Sequence, residues 1–178
     1  MSAYPKLMAA ALALAAAVSG TVVASASADD HAPADLVFGS ATNGFPTPAG
    51  PGSARLSVFA FSGPAGENPG GFVSSMGTTG APGGEFEVAG RVTCVRVEGN
   101  QAAIKYRFEK ATGGAEPFKG GGIEVFVEDN NPPPDANASG FPQNAAAFAA
   151  AGPTSCDDPS LAPFSPVKSG SYEVIDRD

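Results

Sequence analysis

Apolar and polar residues alternate most regularly from Glu85 onward. Phe86, Val88, Val92 and Cys94 hold the even positions, with Glu85, Glu87, Arg91 and Thr93 between them, the period-two signature of a half-buried strand. In that phase Cys94 faces inward. At Val95 and Val97 the apolar phase moves to odd positions around Arg96, which predicts a bulge or the end of the strand near there. Glu98-Gly-Asn100 supplies a turn, after which Ile104, Tyr106 and Phe108 alternate with Lys105, Arg107 and Glu109. The two runs predict a hairpin whose second strand buries Ile104, Tyr106 and Phe108 and exposes Lys105 and Arg107.

A further strand follows from Ile123, Val125 and Val127 alternating with Glu124, Phe126 and Glu128. Earlier in the chain, Leu36 to Phe38 opens a strand, and Arg55 to Phe61, apolar on both faces at its end, suits a strand sandwiched in a core. Phe72 to Met76 is a weaker strand, and Ser171 to Asp176 closes the chain as the last. Between them lie residues 43–53, 62–71, 111–122 and 129–160, rich in glycine, proline and asparagine. The first of these reads as a loop because prolines lack the N–H that a ladder needs. Within the last, Ala145 to Ala151 predicts one or two helical turns ended by Gly152-Pro153. Short strands, Gly/Pro turns and no long helical period define an all-β fold, an antiparallel β-sandwich or small β-barrel with long loops.

The first 28 residues alter this picture. Lys6 precedes an apolar run from Leu7 to Val18, and small residues end at Ala26-Ser27-Ala28. A basic start, a helical apolar stretch and small residues at the cut are the parts of a secretory signal peptide. Domain organisation is thus a signal peptide at 1–28, a flexible lead-in at 29–34 and a single β domain at 35–178. After cleavage before Asp29, or before Ser27, since Ala24-Ser25-Ala26 fits the cut too, no run approaches the ~20 residues of a membrane span, so the mature chain is expected to be secreted and extracellular. Its 150 residues hold 9 basic and 18 acidic side chains, a net charge of −9. That sign excludes a nucleic-acid binder, which needs a basic footprint. The same residues contain 22 glycines and 16 prolines, about a quarter of the total, so the core is lean.

Export bears on the two cysteines, Cys94 and Cys156, because thiols outside the cytoplasm oxidise to disulfides. Two cysteines allow one intramolecular pairing. The alternative, zinc ligation or a reactive thiol, lacks partners, since His31 is the one histidine and falls in the lead-in. No Ser-His-Asp or Cys-His set can be assembled around it. Carboxylate pairs remain for glycoside hydrolysis, but Glu124 and Glu128 would stand about 13 Å apart on one strand, beyond the usual acid–base separation. Glu128-Asp129-Asn130-Asn131 with Asp135 and Asn137 gathers oxygen donors on one loop, which makes Asp129 and Asp135 candidate calcium ligands. Asp and Asn also serve simply as turn residues. Asn137-Ala-Ser139 matches a glycosylation sequon.

The run Val92-Thr-Cys94-Val-Arg-Val-Glu-Gly-Asn100-Gln-Ala-Ala-Ile104, then Ile123-Glu-Val-Phe-Val127-Glu-Asp129-Asn, Cys156 and the closing Gly170-Ser-Tyr-Glu-Val-Ile-Asp176 resemble a loose group of uncharacterised secreted β-rich proteins of high-GC Gram-positive bacteria. The resemblance covers about residues 54 to 177 and implies a fold without an assigned activity. The expected function is therefore that of a secreted, non-catalytic binding or envelope-associated module with an extracellular or cell-wall partner, no cofactor beyond the calcium candidate, and a ligand the sequence does not name. The alternative is a small secreted hydrolase with a carboxylate site. A pocket holding two carboxylates at catalytic separation marks the enzyme; exposed aromatics clustered on loops mark the binder.

Overall fold

The computed structural model describes residues 35–177. The signal peptide at 1–28, the lead-in at 29–34 and His31 lie outside the described residues. Nine strands form one antiparallel sheet: β1 (Asp35–Thr47), β2 (Gly50–Ser62), β3 (Gly70–Thr78), β4 (Glu85–Glu98), β5 (Gln101–Gly113), β6 (Gly122–Glu128), β7 (Ala136–Ser139), β8 (Ser165–Pro166) and β9 (Ser169–Ile175). A six-residue helix, α1 (Ala145–Ala150), and two 3-10 turns, Glu116–Phe118 and Pro159–Leu161, sit in the connections. The strands follow one another as a meander from β1 to β7, with β8 beside β7 and β9 beside β1.

The sheet curls until its two edges meet. β8 pairs antiparallel with β7, and β9 antiparallel with β1. Only residues 167 and 168 separate β8 from β9, and three residue steps span at most about 11 Å. Residues 165–175 are thus one closing segment, hydrogen-bonded first to one edge and then to the other. Its two-residue link is tied on both sides, since the Val167 N–H donates to the Asp135 carbonyl at 2.9 Å and the Lys168 N–H to the Thr42 carbonyl at 2.7 Å. Counted as one, β8 and β9 give eight strand positions, a size at which a closed sheet is filled by its own side chains or holds one small ligand.

Two register shifts between β4 and β5, at Ala89/Gly90 and at Val92/Cys94, leave one extra residue on each strand, Glu109 on β5 and Thr93 on β4. Bulges bend a strand and raise its twist, which helps this pair turn the corner of the curl. The predicted hairpin is present, with Glu98 paired to Gln101 across Gly99-Asn100. Gly99 takes a φ of 60° there, which a primed two-residue turn demands.

Four expectations are corrected. Cys94 does not face inward: the bulge falls at Thr93, ahead of the place predicted, so Cys94 pairs with Lys105 on the outer face while Val92 and Val95 face in. Lys105 is buried rather than exposed, because a loop covers it. Residues 43–53 are largely strand, with Pro46 opposite Pro51. Both prolines are tolerated because they lie beyond the neighbours, since β9 reaches only Thr42 on β1 and β3 only Ser53 on β2. The end of β2 is not sandwiched either: Val58 and Ala60 face in, whereas Phe59 points outward beside Phe61, with Phe72 of β3 as its cross-strand partner.

The interior is packed unevenly. Val37, Val58, Ala60, Val73, Val95, Ala102, Ile104 and Val127 fill the end of the barrel that carries the β4–β5 turn. Toward the other end, the inward positions of β1 to β3 include Asn43, Gly52, Ala54, Ser75 and Gly77 beside Phe45 and Leu56, and the small ones do not meet Phe86, Tyr106 and Phe108 on the far wall. A void remains there.

Candidate functional site

That void is an apolar cavity of about 480 Å³, opening at the end of the barrel that carries the β1–β2 turn, the β3–β4 and β5–β6 loops and the segment after β7. Its size falls in the range of small-molecule sites, which are apolar clefts with a few polar groups. Leu56, Phe86, Val88, Phe108, Ile123 and Val125 make the apolar wall. Gly140, Phe141 and Pro142 stand among the lining residues where the chain leaves β7. The Phe141 ring is 91% exposed, an aromatic on a loop at the rim.

Polar groups along the wall are uncharged. Asn43, Ser75, Thr79, Tyr106, Asn137 and Ser139 contribute them, and among the described residues no Asp, Glu, His, Lys or Arg lines the cavity. Burial pushes the Tyr106 phenol well above its ordinary range, so it stays neutral. Asn137, 3% exposed, comes from β7 opposite Val127 and thus points inward. Its Nδ2 donates to the Tyr172 hydroxyl at 2.8 Å, while its Oδ1 is buried without a hydrogen-bond partner. Burial at that contact pushes the Tyr172 phenol up to about 12. An acceptor in this state costs about 1–3 kcal/mol. The sequon reading of Asn137 is corrected by the same geometry, since an amide inside the barrel is out of reach of a glycosyl donor.

The calcium candidates lie on the seam. Asp135 Oδ2 accepts the Tyr172 N–H at 2.7 Å and its Oδ1 the Asn130 N–H at 3.1 Å. Asp129 Oδ2 accepts the Val174 N–H at 3.3 Å. Both therefore satisfy backbone donors, those of β9 among them, and join the closing segment to the β6–β7 side of the sheet. Among the described residues no group of three or more His, Cys, Asp or Glu side chains is placed to hold a metal ion.

A second cluster sits on the outer face of β4, β5 and β6, where Cys94, Lys105 and Glu124 occupy one cross-strand row. Residues 153–158 run over this row. Cys156 is disulfide-bonded to Cys94, with Cα atoms 5.7 Å apart, as the cysteine count predicts. The Lys105 ammonium donates to the Ser155 carbonyl and stands 3.4 Å from Glu124 Oε2. Glu124 Oε1 accepts the Asp157 N–H at 2.7 Å, and Thr93 donates its hydroxyl to the Pro153 carbonyl at 2.6 Å. Burial beneath the loop raises the Glu124 carboxyl above its ordinary range, against the pull of the Asp157 N–H and the Lys105 charge. Every group in this cluster is engaged in holding the loop down, and the pair has no access to a substrate.

The cavity was invisible in the sequence because alternation gives the face of a residue but not the space left between opposite walls. A faint signal did exist: small side chains at inward positions of neighbouring strands, against aromatics on β4 and β5. Among the described residues no helix is long and apolar enough to cross a membrane. No protein-family profile, no curated protein and no solved structure matches the chain.

Proposed function

We propose that the protein is a secreted, non-catalytic binding module that takes a small apolar molecule into the barrel. The observation that carries this reading is the cavity itself, of about 480 Å³ and, among the described residues, with no carboxylate, imidazole or amine on its wall. A carboxylate-based hydrolase needs a pair of carboxyl groups in reach of the substrate, and the described residues of the wall offer none. Binding needs only shape, apolar surface and a few oriented polar atoms. The signal-peptide pattern at 1–28, the resemblance to secreted β-rich proteins and the Cys94–Cys156 disulfide support export.

The test uses the mature, oxidised protein and the apolar fluorescent dye N-phenylnaphthylamine. Saturable binding at one dye per chain is expected. Ala54→Phe, which extends a ring into the void, abolishes it without lowering the melting temperature. Phe72→Ser, on the outer aromatic patch, leaves it unchanged. Dye binding that survives Ala54→Phe and is lost in Phe72→Ser places the site outside the barrel and ends the proposal.

A further inference from the structure

Resting on that reading of the cavity, we propose that the rim around the cavity mouth docks on an uncharged lipid surface, a zwitterionic bilayer, and that the apolar ligand enters and leaves through this contact. Four connections form the rim: residues 48–49, 79–84, 114–121 and 140–144. Glu116 and Lys119 are the charged residues in them, opposite in sign and three residues apart. Pro48, Ala49, Pro82, Pro117, Phe141 and Pro142 stand exposed beside that pair, the Phe141 ring at 91%. Exposed apolar groups gathered around an apolar cavity mark an interaction site. The opposite end of the barrel is acidic. Residues 63–69, 99–100, 129–135 and 176–177 carry Glu67, Asp129, Asp135 and Asp176 against Arg177, with Glu98 and Glu128 at the ends of β4 and β6.

This separation of charge along the barrel decides which surface the rim fits. Charges act on a surface over about 8 Å, the Debye length at physiological salt. β5 runs from one end of the barrel to the other in 13 residues, about 40 Å at the usual rise, so a surface touching the rim lies far beyond the reach of the acidic end. The rim itself meets an uncharged surface at little electrostatic cost. A protein partner fits less well, because the four connections hold no Arg, Trp or Tyr, the usual anchors of protein interfaces, and a protein seated there would cap the mouth. Lipid is itself a solvent for an apolar ligand, which then passes between two apolar phases without crossing water. Affinity for such a surface scales with the apolar area buried, and Phe141 alone is worth about tenfold.

The test mixes the mature, oxidised protein, loaded with N-phenylnaphthylamine, with phosphatidylcholine vesicles whose nitrobenzoxadiazole-labelled lipid quenches the dye on arrival. The transfer rate is expected to rise in proportion to vesicle concentration, because the dye passes on contact. Ala49→Asp and Pro82→Asp, on the rim but off the cavity lining, each lower that slope several-fold with the dye affinity unchanged. Asn68→Asp, the same change of charge at the far end, leaves the slope as it was. Phe141→Ser weakens co-sedimentation of the dye-free protein with the vesicles about tenfold. A rate independent of vesicle concentration shows the dye leaving through water and overturns the docking, while saturable dye binding keeps the cavity reading intact. A slope that falls in Phe72→Ser and not in the rim variants places the contact on the outer aromatic patch and overturns it as well. So does a concentration-dependent dimer that Phe141→Ser dissociates, since the rim then covers a second copy. Absence of one-to-one dye binding by the native chain removes both readings together.

Discussion

Asp135 is the residue on which closure of the barrel depends most, and replacing it gives a defined result. Its carboxylate is 4% exposed and accepts two backbone N–H groups, those of Tyr172 in the closing segment and of Asn130 in the preceding turn. Hydrogen bonds to a charged group contribute about 1.5–3 kcal/mol each, and an orphaned buried N–H adds to the loss. Asp135→Ala should therefore cost about 3–5 kcal/mol, a large part of the 5–15 kcal/mol typical of a domain. Asp135→Asn keeps the shape and one acceptor but turns an amide N–H toward one of the two donors, and should cost about half as much. Urea unfolding followed by tyrosine fluorescence measures both, read as midpoint shifts at constant slope. The same variants should bind the dye more weakly, since Asn137 and Tyr172 lie on the seam that Asp135 holds. A loss below about 1 kcal/mol for the alanine variant would mean that the β9–β1 ladder alone closes the sheet, and the account of the seam would be wrong.

Four further outcomes follow. The oxidised protein is two hydrogens lighter than the reduced one; breaking the bond by the double replacement Cys94→Ala and Cys156→Ala frees a loop of 62-residue separation and costs about 4 kcal/mol in the chain-entropy account, against which a loss under about 1 kcal/mol in urea would count. Ile104→Ala costs about 2–5 kcal/mol, and Lys105→Ala, which strands the buried Glu124 carboxylate, about 3 kcal/mol rather than the fraction expected of a surface lysine; a neutral Lys105→Ala would show that water reaches beneath the loop. Raised phenol pKa values make the neutral form the folded one, so the contribution of Tyr172 is fully present below pH 10 and is lost as pH rises toward about 12, with tyrosinate absorbance appearing together with unfolding; titration of every tyrosine near 10 in the still-folded chain would contradict this. Millimolar calcium should leave the melting temperature unchanged, because the carboxylates of Asp129 and Asp135 already accept backbone donors; a rise that saturates with calcium would restore them as ligands.

The strands were legible wherever one face alone is buried. The alternations at 85–94, 104–109 and 123–128 became β4, β5 and β6, and the Gly99-Asn100 turn and the alanine-rich α1 lie where the residues place them. Misreadings arose where local pattern depends on a distant partner. Residues 43–53 are largely strand because Pro48 falls in the turn and Pro46 and Pro51 lie beyond the reach of a third strand, a fact about β3 and β9 that no window around Pro46 contains. β7 was hidden for a similar reason: Ala136–Ser139 is only four residues long, with small or polar side chains, and is strand because β6 offers an edge. Phe59 and Phe72 break the rule that apolar means inward, and nothing within their own strands marks them as the outer set except the neighbouring Val58 and Val73.

One residue shows how far such a local irregularity reaches. Without the bulge at Thr93, the phase that begins at Phe86 would carry Cys94 into the barrel, and Cys156 with its loop would have to follow it or leave the thiol unpaired. The shift at Val92/Cys94 instead sends Cys94 outward into one row with Lys105 and Glu124. The disulfide can then pin residues 153–158 to the outside of the sheet, where the loop's carbonyl and N–H groups satisfy the charged pair. Val95 and Val97 return to the interior in the same step and complete its packed end. The covalent tether and the Lys105–Glu124 pair are thereby kept on the outer side of the sheet. The outward turn at Thr93 thus keeps the ionised side chains of this cluster off the cavity wall, whose described residues are all uncharged.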